Sequence, residues 1–101
     1  MIRHIVLWKL AESAEGAVKQ ENAQKMKVML ERLKERISEI KMVEVGINCN
    51  KNEPWDVAPF SEFDNMADLM VYQNHPEHRM CVEFIKKVRV ERAAMDYATK
   101  E

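Results

Sequence analysis

Three histidines, His4, His75 and His78, are the side chains of this chain best suited to chemistry at neutral pH. An imidazole titrates at about pH 6.5, so it can accept or donate a proton under ordinary conditions. A neutral imidazole in an apolar cavity can remove a proton α to a carbonyl group. A phenol such as that of Tyr72 can then donate a hydrogen bond to the developing enolate oxygen. These residue types therefore fit enolisation, aldol closure or isomerisation, with no cofactor.

Each of these residues also has a purely structural interpretation. His4 fits a core histidine with one hydrogen bond, and His75 precedes Pro76, where it fits a cap of the next helix. Tyr72 fits a core tyrosine whose hydroxyl is satisfied. Six residues and the His-Pro junction separate Tyr72 from His78, so helical spacing does not place one relative to the other. Both interpretations stay open at this point.

Metal binding and nucleophilic catalysis are weakly indicated. The spacing His75-x-x-His78, with Glu77 between, suits two ligands on one side of a helix, and His4 would be a third. Because a catalytic zinc needs three protein ligands and a structural zinc four, we predict no metal site. The sequence has no Gly-rich phosphate loop, no Cys-x-x-Cys and no Gly-x-Ser-x-Gly.

Size and charge limit the classes of partner. The chain has 101 residues and a formal net charge of -1. This length predicts a single domain over residues 1–101, and a domain this small gains burial by oligomerising. The balanced charge predicts no nucleic-acid partner and no membrane partner. The basic residues near the carboxyl terminus alternate with acids, which indicates a solvated helix face; they are Lys86, Lys87, Arg89 and Arg92.

Cysteine usage and the first residues bear on the compartment. Cys49 and Cys81 lack metal-site spacing and lie among apolar residues, which predicts reduced, packed thiols and a cytoplasmic protein. The apolar run at residues 1–10 contains Arg3 and Lys9, so it is neither a signal segment nor a membrane span.

Hydrophobic periodicity predicts an alternation of strands and helices. A helix begins at residues 13–16, with Ser13 as its cap, and its apolar stripe continues to Ile40. Pro59 falls in the third strand and requires a bulge or an edge position. The expected strands are 2–10, 42–50, 55–64 and 90–98, and the expected helices are 13–40, 65–74 and a segment starting near Pro76.

This order, β-α-β-β-α-β, is the split βαβ arrangement of an α+β, ferredoxin-like protomer with a four-stranded antiparallel sheet. The first strand is apolar on both faces: one face carries His4, Val6 and Trp8, and the other carries Ile5 and Leu7. A single helical layer covers only one face. We therefore predict a homodimer in which two sheets pack face to face and enclose a barrel-like interior.

Four segments of the chain carry a family resemblance. They are residues 2–9 (IRHIVLWK), residues 43–48 (VEVGIN), residues 61–78 with the pattern Ser61-Glu62-Phe63 followed by Leu69-x-x-Tyr72-Gln73-x-His75-Pro76-x-His78, and Asp96-Tyr97. In this order and spacing they resemble the stress-responsive A/B barrel family of dimeric α/β barrel proteins. The resemblance covers nearly the whole chain, and Pro59 departs from the family pattern.

The resemblance implies a ferredoxin-like protomer, a homodimer and an interior cavity. Some family members are polyketide cyclases or related plant enzymes, whereas others have no assigned chemistry. In the cyclase branch the histidine matching His78 acts as acid and base, and the tyrosine matching Tyr72 hydrogen-bonds the substrate. The histidine matching His4 lines the cavity. We accordingly expect His78 and Tyr72 to be catalytic, and His4, His75 and Trp8 to contact the ligand.

Three functions are compatible with these residues. The first is a homodimer that binds a small, largely apolar carbonyl compound and performs cyclase-like or isomerase-like acid/base chemistry. The second is a non-catalytic stress-response or ligand-binding module, and the third is a cofactorless oxygenase. The aromatic side chains Trp8, Trp55 and Phe63 could instead fill the interior, whereas a ligand site needs a concavity of about 300 Å³ or more.

Overall fold

The computed structural model describes residues 1–100, which form an antiparallel sheet covered by helices on one face. The elements are β1 (Ile2–Leu10), β2 (Ser13–Ala14), β3 (Ala17–Val18), α1 (Lys19–Glu31), a 3-10 turn (Arg32–Glu35), β4 (Met42–Ile47), β5 (Val57–Phe63), α2 (Met66–Asn74), α3 (Pro76–Val88) and β6 (Arg89–Ala98). The sheet has four strands in the order β4-β5-β1-β6, and the two-stranded hairpin β2-β3 forms a separate small sheet. This is the predicted ferredoxin-like α+β arrangement.

Strand β1 lies in the middle of the sheet and separates its two faces. His4, Val6, Trp8 and Leu10 are buried beneath the helices. The alternate residues point to the opposite face, where they remain partly exposed. The two-sided apolar pattern of the sequence is confirmed, and among residues 1–100 only one of the two faces is covered by helices.

A tight hairpin replaces the expected helix start at Ser13. Glu15 has φ 51° and Gly16 has φ 76°, and two positive φ values in succession define the turn that joins closely paired antiparallel strands. The buried Asn22 side chain fixes the hairpin by donating to the carbonyl oxygen of Ala14 at 3.1 Å. Helix α1 therefore begins only at Lys19, and Val18 precedes it without a side-chain cap.

We expect Gly16→Ala to lower the free energy of unfolding by about 1–2 kcal/mol, because an L-residue is strained in the left-handed region. An added Cβ at Gly16 meets no atom within 4 Å, so the loss comes from the backbone alone. Urea denaturation measures it. Gly46→Ala is the matched control, since its Cβ makes only an ordinary contact with the oxygen of Ala58 at 3.7 Å. Equal stability of Gly16→Ala and the wild type would contradict the turn assignment.

Helix α1 is also shorter than the stripe to Ile40 predicted. It ends at Glu31, and the chain continues through the 3-10 turn into a loop in which Ile37 and Ile40 are buried. Ile37 and Ile40 continue the apolar spacing of the helix although their backbone is not helical. The periodicity therefore predicted the burial of these residues correctly, but it placed the end of the helix too late.

The second and third strands are shorter than expected because Asn48 organises the loop between them. Its amide nitrogen donates to the carbonyl oxygens of Glu53 and Trp55, at 3.1 and 2.6 Å. Its side-chain oxygen accepts from the backbone N–H of Asn50 at 2.7 Å. These bonds take the place of strand pairing. Strand β4 ends at Ile47, and β5 begins at Val57 rather than Trp55.

Two side chains of helix α1 occupy the outer edge of strand β4. Lys27 Nζ donates to the carbonyl oxygen of Val45 at 2.7 Å, and a Glu31 carboxylate oxygen accepts from the Val45 N–H at 2.9 Å. Lys27 and Glu31 also pair with each other at 2.7 Å. Both backbone groups of Val45 are thereby satisfied without a neighbouring strand.

Pro59 is neither at an edge nor in a bulge, contrary to the expectation. It lies in β5, between β4 and β1, directly opposite Val45. Because the backbone groups of Val45 point outward, the Pro59 nitrogen points toward β1. Pairing of β1 with β5 is recorded at Ile5–Phe60 and at Trp8–Val57 but not between them. The inner strand thus accommodates proline by an interruption of the ladder without a register shift.

The helices of the second half begin as predicted. Asn65 caps α2, and its side-chain oxygen accepts from the Asp68 N–H at 2.8 Å. The chain turns at His75, where the backbone is extended, and Pro76 occupies the first turn of α3. Proline is favoured there because the N–H it lacks would have no helical partner.

The face of the sheet that no helix covers has an apolar centre. We call it the open face; Ile5 pairs there with Phe60 and Met95, and Leu7 pairs with Ala93. Strand alternation places Ala58 on the same face as Phe60, so the centre of the open face consists of Ile5, Leu7, Ala58, Phe60, Ala93 and Met95. Charged pairs border it: Arg3 with Glu62 at 2.8 Å and Lys9 with Glu91 at 2.6 Å. Within residues 1–100, the helices are too short or too polar to cross a membrane.

Candidate functional site

Four of the five site residues predicted from the sequence line one cavity. His4 and Trp8 reach it from β1, Tyr72 from the last turn of α2 and His78 from the first turn of α3. The cavity has a volume of about 220 Å³ and lies between the sheet and the helices. It is therefore inside one protomer, whereas the sequence led us to expect a cavity between two sheets. The cavity lies inside the protomer because His4 and Trp8 are buried on the face of β1 that the helices cover.

The turn at His75-Pro76 brings Tyr72 and His78 into contact. Their ring centroids are 4.3 Å apart. The ring of Tyr72 is buried against Phe63, with a centroid distance of 5.1 Å, and faces His4 edge-on at 6.4 Å. An aromatic and two imidazole side chains therefore form one continuous wall of the cavity.

A backbone contact fixes the proton of neutral His78. Its Nδ1 lies 3.3 Å from the carbonyl oxygen of Gln73. Because a carbonyl oxygen only accepts, the Nδ1 of His78 is the nitrogen that carries hydrogen. The lone pair of the neutral ring then lies on Nε2, so Nε2 is the atom able to accept a proton.

Burial keeps the imidazole of His78 and the phenol of Tyr72 in their neutral forms. It lowers the pKa of His78 below its usual value, and the positive charge of Arg92 acts in the same direction. Burial also raises the pKa of Tyr72 above its usual value. At neutral pH the site therefore presents an unprotonated imidazole as base and an intact phenol as hydrogen-bond donor.

His4 is held by a carboxylate on the neighbouring strand. Asp96 is opposite His4 in the register of β1 and β6, and one of its carboxylate oxygens pairs with His4 Nδ1. A carboxylate in this position fixes the orientation of the ring, and it leaves Nε2 of His4 for other contacts. From the sequence, Asp96 was expected either to orient a cavity histidine or, like most carboxylates at strand ends, to be solvated; its contact with His4 agrees with the first interpretation.

The indole of Trp8 contributes an unused donor. Its Nε1 is buried and has no hydrogen-bond partner among residues 1–100. Buried indole N–H groups normally find an acceptor. Trp8 lines the cavity, so this donor, which has no acceptor among residues 1–100, belongs to a residue of the cavity wall.

His75 does not reach the cavity, contrary to the prediction that it contacts the ligand. Its Nδ1 accepts from the Glu77 N–H at 3.1 Å, and the residue caps α3. The alternative interpretation of His75 as a cap is the one the structure supports. Within residues 1–100, no three side chains of the His, Cys, Asp and Glu types come together with the geometry of a metal site.

Arg89 and Arg92 line the cavity, although the sequence pattern predicted that they lie on a solvated helix face. Helix α3 ends at Val88, so Arg89 and Arg92 belong to β6, and both line the cavity. The register of β6 shifts by one residue: Leu10 pairs with Arg89, whereas Lys9 pairs with Glu91. This bulge places Arg89 on the same face as Arg92. A bulge leaves no recognisable signal in the sequence, so only Arg92 could have been assigned by strand alternation.

The depressed pKa of His78 predicts a pH dependence of stability. The unfolded chain binds a proton at His78 near pH 6.5, and the folded chain binds it only at lower pH. The contribution of neutral His78 to the free energy of unfolding is therefore complete above about pH 6.5, and it is lost as pH falls through the pKa of His78 in the folded chain. An NMR titration of the His78 ring should give a midpoint below about 6.5. A midpoint at or above that value would contradict the buried, neutral base.

Comparisons with known proteins agree with this fold. The family model described as Stress responsive A/B Barrel Domain matches residues 2–99. No curated protein gives a significant match. A protein from Bacteroides fragilis, described as dimeric, of unknown function and ferredoxin-like, is 34% identical; the match covers 97% of this chain and 95% of that one, with a TM-score of 0.80.

Two further structures are similar in the same way. A dimeric ferredoxin-like protein of unknown function from Thermobifida fusca is 25% identical over 97% of this chain and 90% of that one, with a TM-score of 0.83. A hydroxynitrile lyase from Passiflora edulis is 18% identical over 99% of this chain and 94% of that one, with a TM-score of 0.81, and this match shows a common fold. The chain therefore belongs to the stress-responsive A/B barrel domain family.

Proposed function

We propose that this chain forms a homodimer in which each protomer binds a small, largely apolar carbonyl compound and catalyses proton transfer at the carbon next to the carbonyl. The observation that carries the proposal is the contact of Tyr72 with His78 on the wall of a mainly apolar cavity. The chemistry is polyketide-cyclase-like or isomerase-like in type. It requires no cofactor, and the two free thiols fit a cytoplasmic location.

The proposed step is an enolisation. His78 Nε2 accepts the α-proton, the C–H electron pair forms the carbon–carbon double bond, and the carbonyl π electrons move to oxygen. The Tyr72 hydroxyl donates a hydrogen bond to that oxygen as its charge develops. The protonated His78 then returns the proton to another carbon of the enolate as the carbonyl re-forms, which gives an isomer. Alternatively, the enolate carbon attacks a second carbonyl of the ligand, which closes a ring, and His78 gives its proton to the alkoxide oxygen formed there. Atoms and charge balance in both outcomes.

His4, Trp8 and Asp96 are proposed to hold the ligand in place. Asp96 orients the His4 ring, and the Trp8 indole N–H offers a hydrogen bond that no described residue uses. A polar contact of this kind fixes one orientation of an otherwise apolar ligand. His75 is left out of the proposed site.

The homodimer is proposed on the basis of the open face. Its apolar centre and charged border have the composition of an interface core and rim. Two similar proteins, from Bacteroides fragilis and Thermobifida fusca, are described as dimeric. Packing of two open faces would cover the apolar centre and complete an α/β barrel. The ligand cavity, being on the other face, would remain separate in each protomer.

A non-catalytic ligand-binding module is the second candidate. The cavity volume of about 220 Å³ is below the range of about 300–1,000 Å³ typical of ligand sites. Of the three aromatic side chains that one sequence-based alternative placed in the interior, Trp8 and Phe63 are buried, whereas Trp55 is partly exposed. A cavity this small would hold a compact ligand whether or not the protein transforms it.

Hydrogen–deuterium exchange at carbon tests the reaction directly. The protein is incubated in D₂O with aryl methyl ketones and simple β-diketones, and loss of the α-proton NMR signal is followed against buffer alone. Exchange that is faster with the protein, and slowed in Tyr72→Phe, would support the catalytic proposal. Binding without exchange would favour the non-catalytic module, and absence of both would contradict the cavity as a carbonyl site.

A further inference from the structure

We infer that the ligand of this cavity carries a carboxylate, held at the solvent-facing end by Arg89 and Arg92 while its apolar part lies against Val82 and Ile85. This inference rests on the proposed ligand cavity but not on the proton-transfer chemistry. It specifies the ligand class further, from a small carbonyl compound to one that is also an anion.

The charge of the cavity wall differs from that of the whole chain. The chain has 17 acidic and 16 basic residues, yet both ionised side chains on the cavity wall are arginines, and no Asp or Glu of residues 1–100 lines it. In the described part of the chain, neither Arg89 nor Arg92 pairs with a carboxylate. Two unpaired guanidinium groups at the end of an apolar cavity favour an anion over a neutral ligand.

The backbone is shaped to place both guanidinium groups on the same side. Regular alternation would direct residues 89 and 92 to opposite faces of β6. The register shift between β1 and β6 removes this opposition, so that Arg89 pairs with Leu10 and Arg92 pairs with Trp8. Leu10 and Trp8 are both buried on the helical face, and both arginines therefore project to the cavity side.

Trp8 is opposite Arg92 in the register of β1 and β6 and lines the same cavity. Its indole N–H is buried and has no acceptor among residues 1–100. A planar carboxylate offers two acceptor oxygens, which suits a guanidinium fork together with a neighbouring N–H. The cavity wall thus combines apolar side chains with donors that have no acceptor within residues 1–100.

Matched pairs of probes separate charge from shape. Phenylacetate is compared with phenylacetamide, and hexanoate with hexanamide, by isothermal titration calorimetry and NMR. We expect each carboxylate to bind about tenfold or more tightly than its amide, and added salt to weaken the carboxylate alone. The preference should disappear in the double variant Arg89→Gln/Arg92→Gln and persist in Arg79→Gln, since Arg79 contacts Asn74 outside the cavity.

The possible failures are distinguishable. Amides that bind as tightly as carboxylates, or a preference that survives the double variant, would overturn the carboxylate inference and leave the carbonyl cavity intact. Absence of binding by all four probes would overturn both. The comparison of carboxylate with amide in the wild type, with its salt dependence, does not depend on the folding of any variant.

Discussion

His78→Gln is expected to lower the rate of α-proton exchange by about 10²- to 10⁴-fold, the usual contribution of a positioned general base. Glutamine retains a polar side chain of similar length but cannot accept the proton at neutral pH. Ligand affinity should change little, because His78 acts on the reacting atom in the transition state. Rates come from the deuterium exchange assay and affinities from calorimetry with the same ketones.

His75→Asn is the matched control for this variant. It removes another histidine three residues away, and asparagine preserves the cap of α3 that His75 supplies. We expect its exchange rate to equal that of the wild type. A His78→Gln protein that exchanges as fast as the wild type would exclude His78 as the base. A variant that loses only affinity would favour the non-catalytic module.

Leu7→Glu is expected to convert the dimer to a monomer. Leu7 is at the centre of the open face, and loss of a buried leucine side chain costs roughly 1.5–3 kcal/mol. Because a symmetric interface contains one Leu7 from each protomer, the free-energy loss is doubled, and the variant also places two carboxylates in an apolar contact. Dimer affinity should therefore fall by at least about 10²-fold. Light scattering across a dilution series should give twice 11.9 kDa for the wild type and 11.9 kDa for the variant.

Val28→Glu introduces the same charge at a different surface. Val28 is 53% exposed on helix α1, away from the open face, so this variant should remain dimeric. A dimeric Leu7→Glu protein would show that the open face is not the interface. Because the cavity is contained in one protomer, folded Leu7→Glu monomer should still bind the ketones that the wild type binds.

The sequence predicted the fold well where burial on one face and strong local signals coincide. Strand β1 and the Asn65 cap were placed correctly because alternation and an N-cap side chain act over a few residues. The hairpin at Glu15-Gly16 was missed because an ordinary glutamate has φ 51° there. The inner-strand position of Pro59 was also missed. It depends on the backbone of Val45 pointing outward to side chains of helix α1, and no local sequence pattern shows this.

The site was predicted in part. The residue types and the resemblance indicated Tyr72 and His78, but their contact depends on the angle of the His75-Pro76 turn, which sequence spacing does not determine. The pattern did not identify which face of β1 the helices cover, and the cavity was therefore expected between sheets. Arg89 was missed because a register shift, and not alternation, directs it inward.

The binding of Val45 by Lys27 and Glu31 bears on how copies of this protein can aggregate. A sheet extends into a fibril only if each added copy has a second exposed edge strand whose backbone can hydrogen-bond to the next copy. The sheet has two edges, β4 and β6, and any strand added at β4 must first displace two charged side chains from the backbone of Val45. Edge pairing is therefore easier at β6 than at β4. Two copies joined through β6 expose only their β4 edges, where each further copy must displace Lys27 and Glu31.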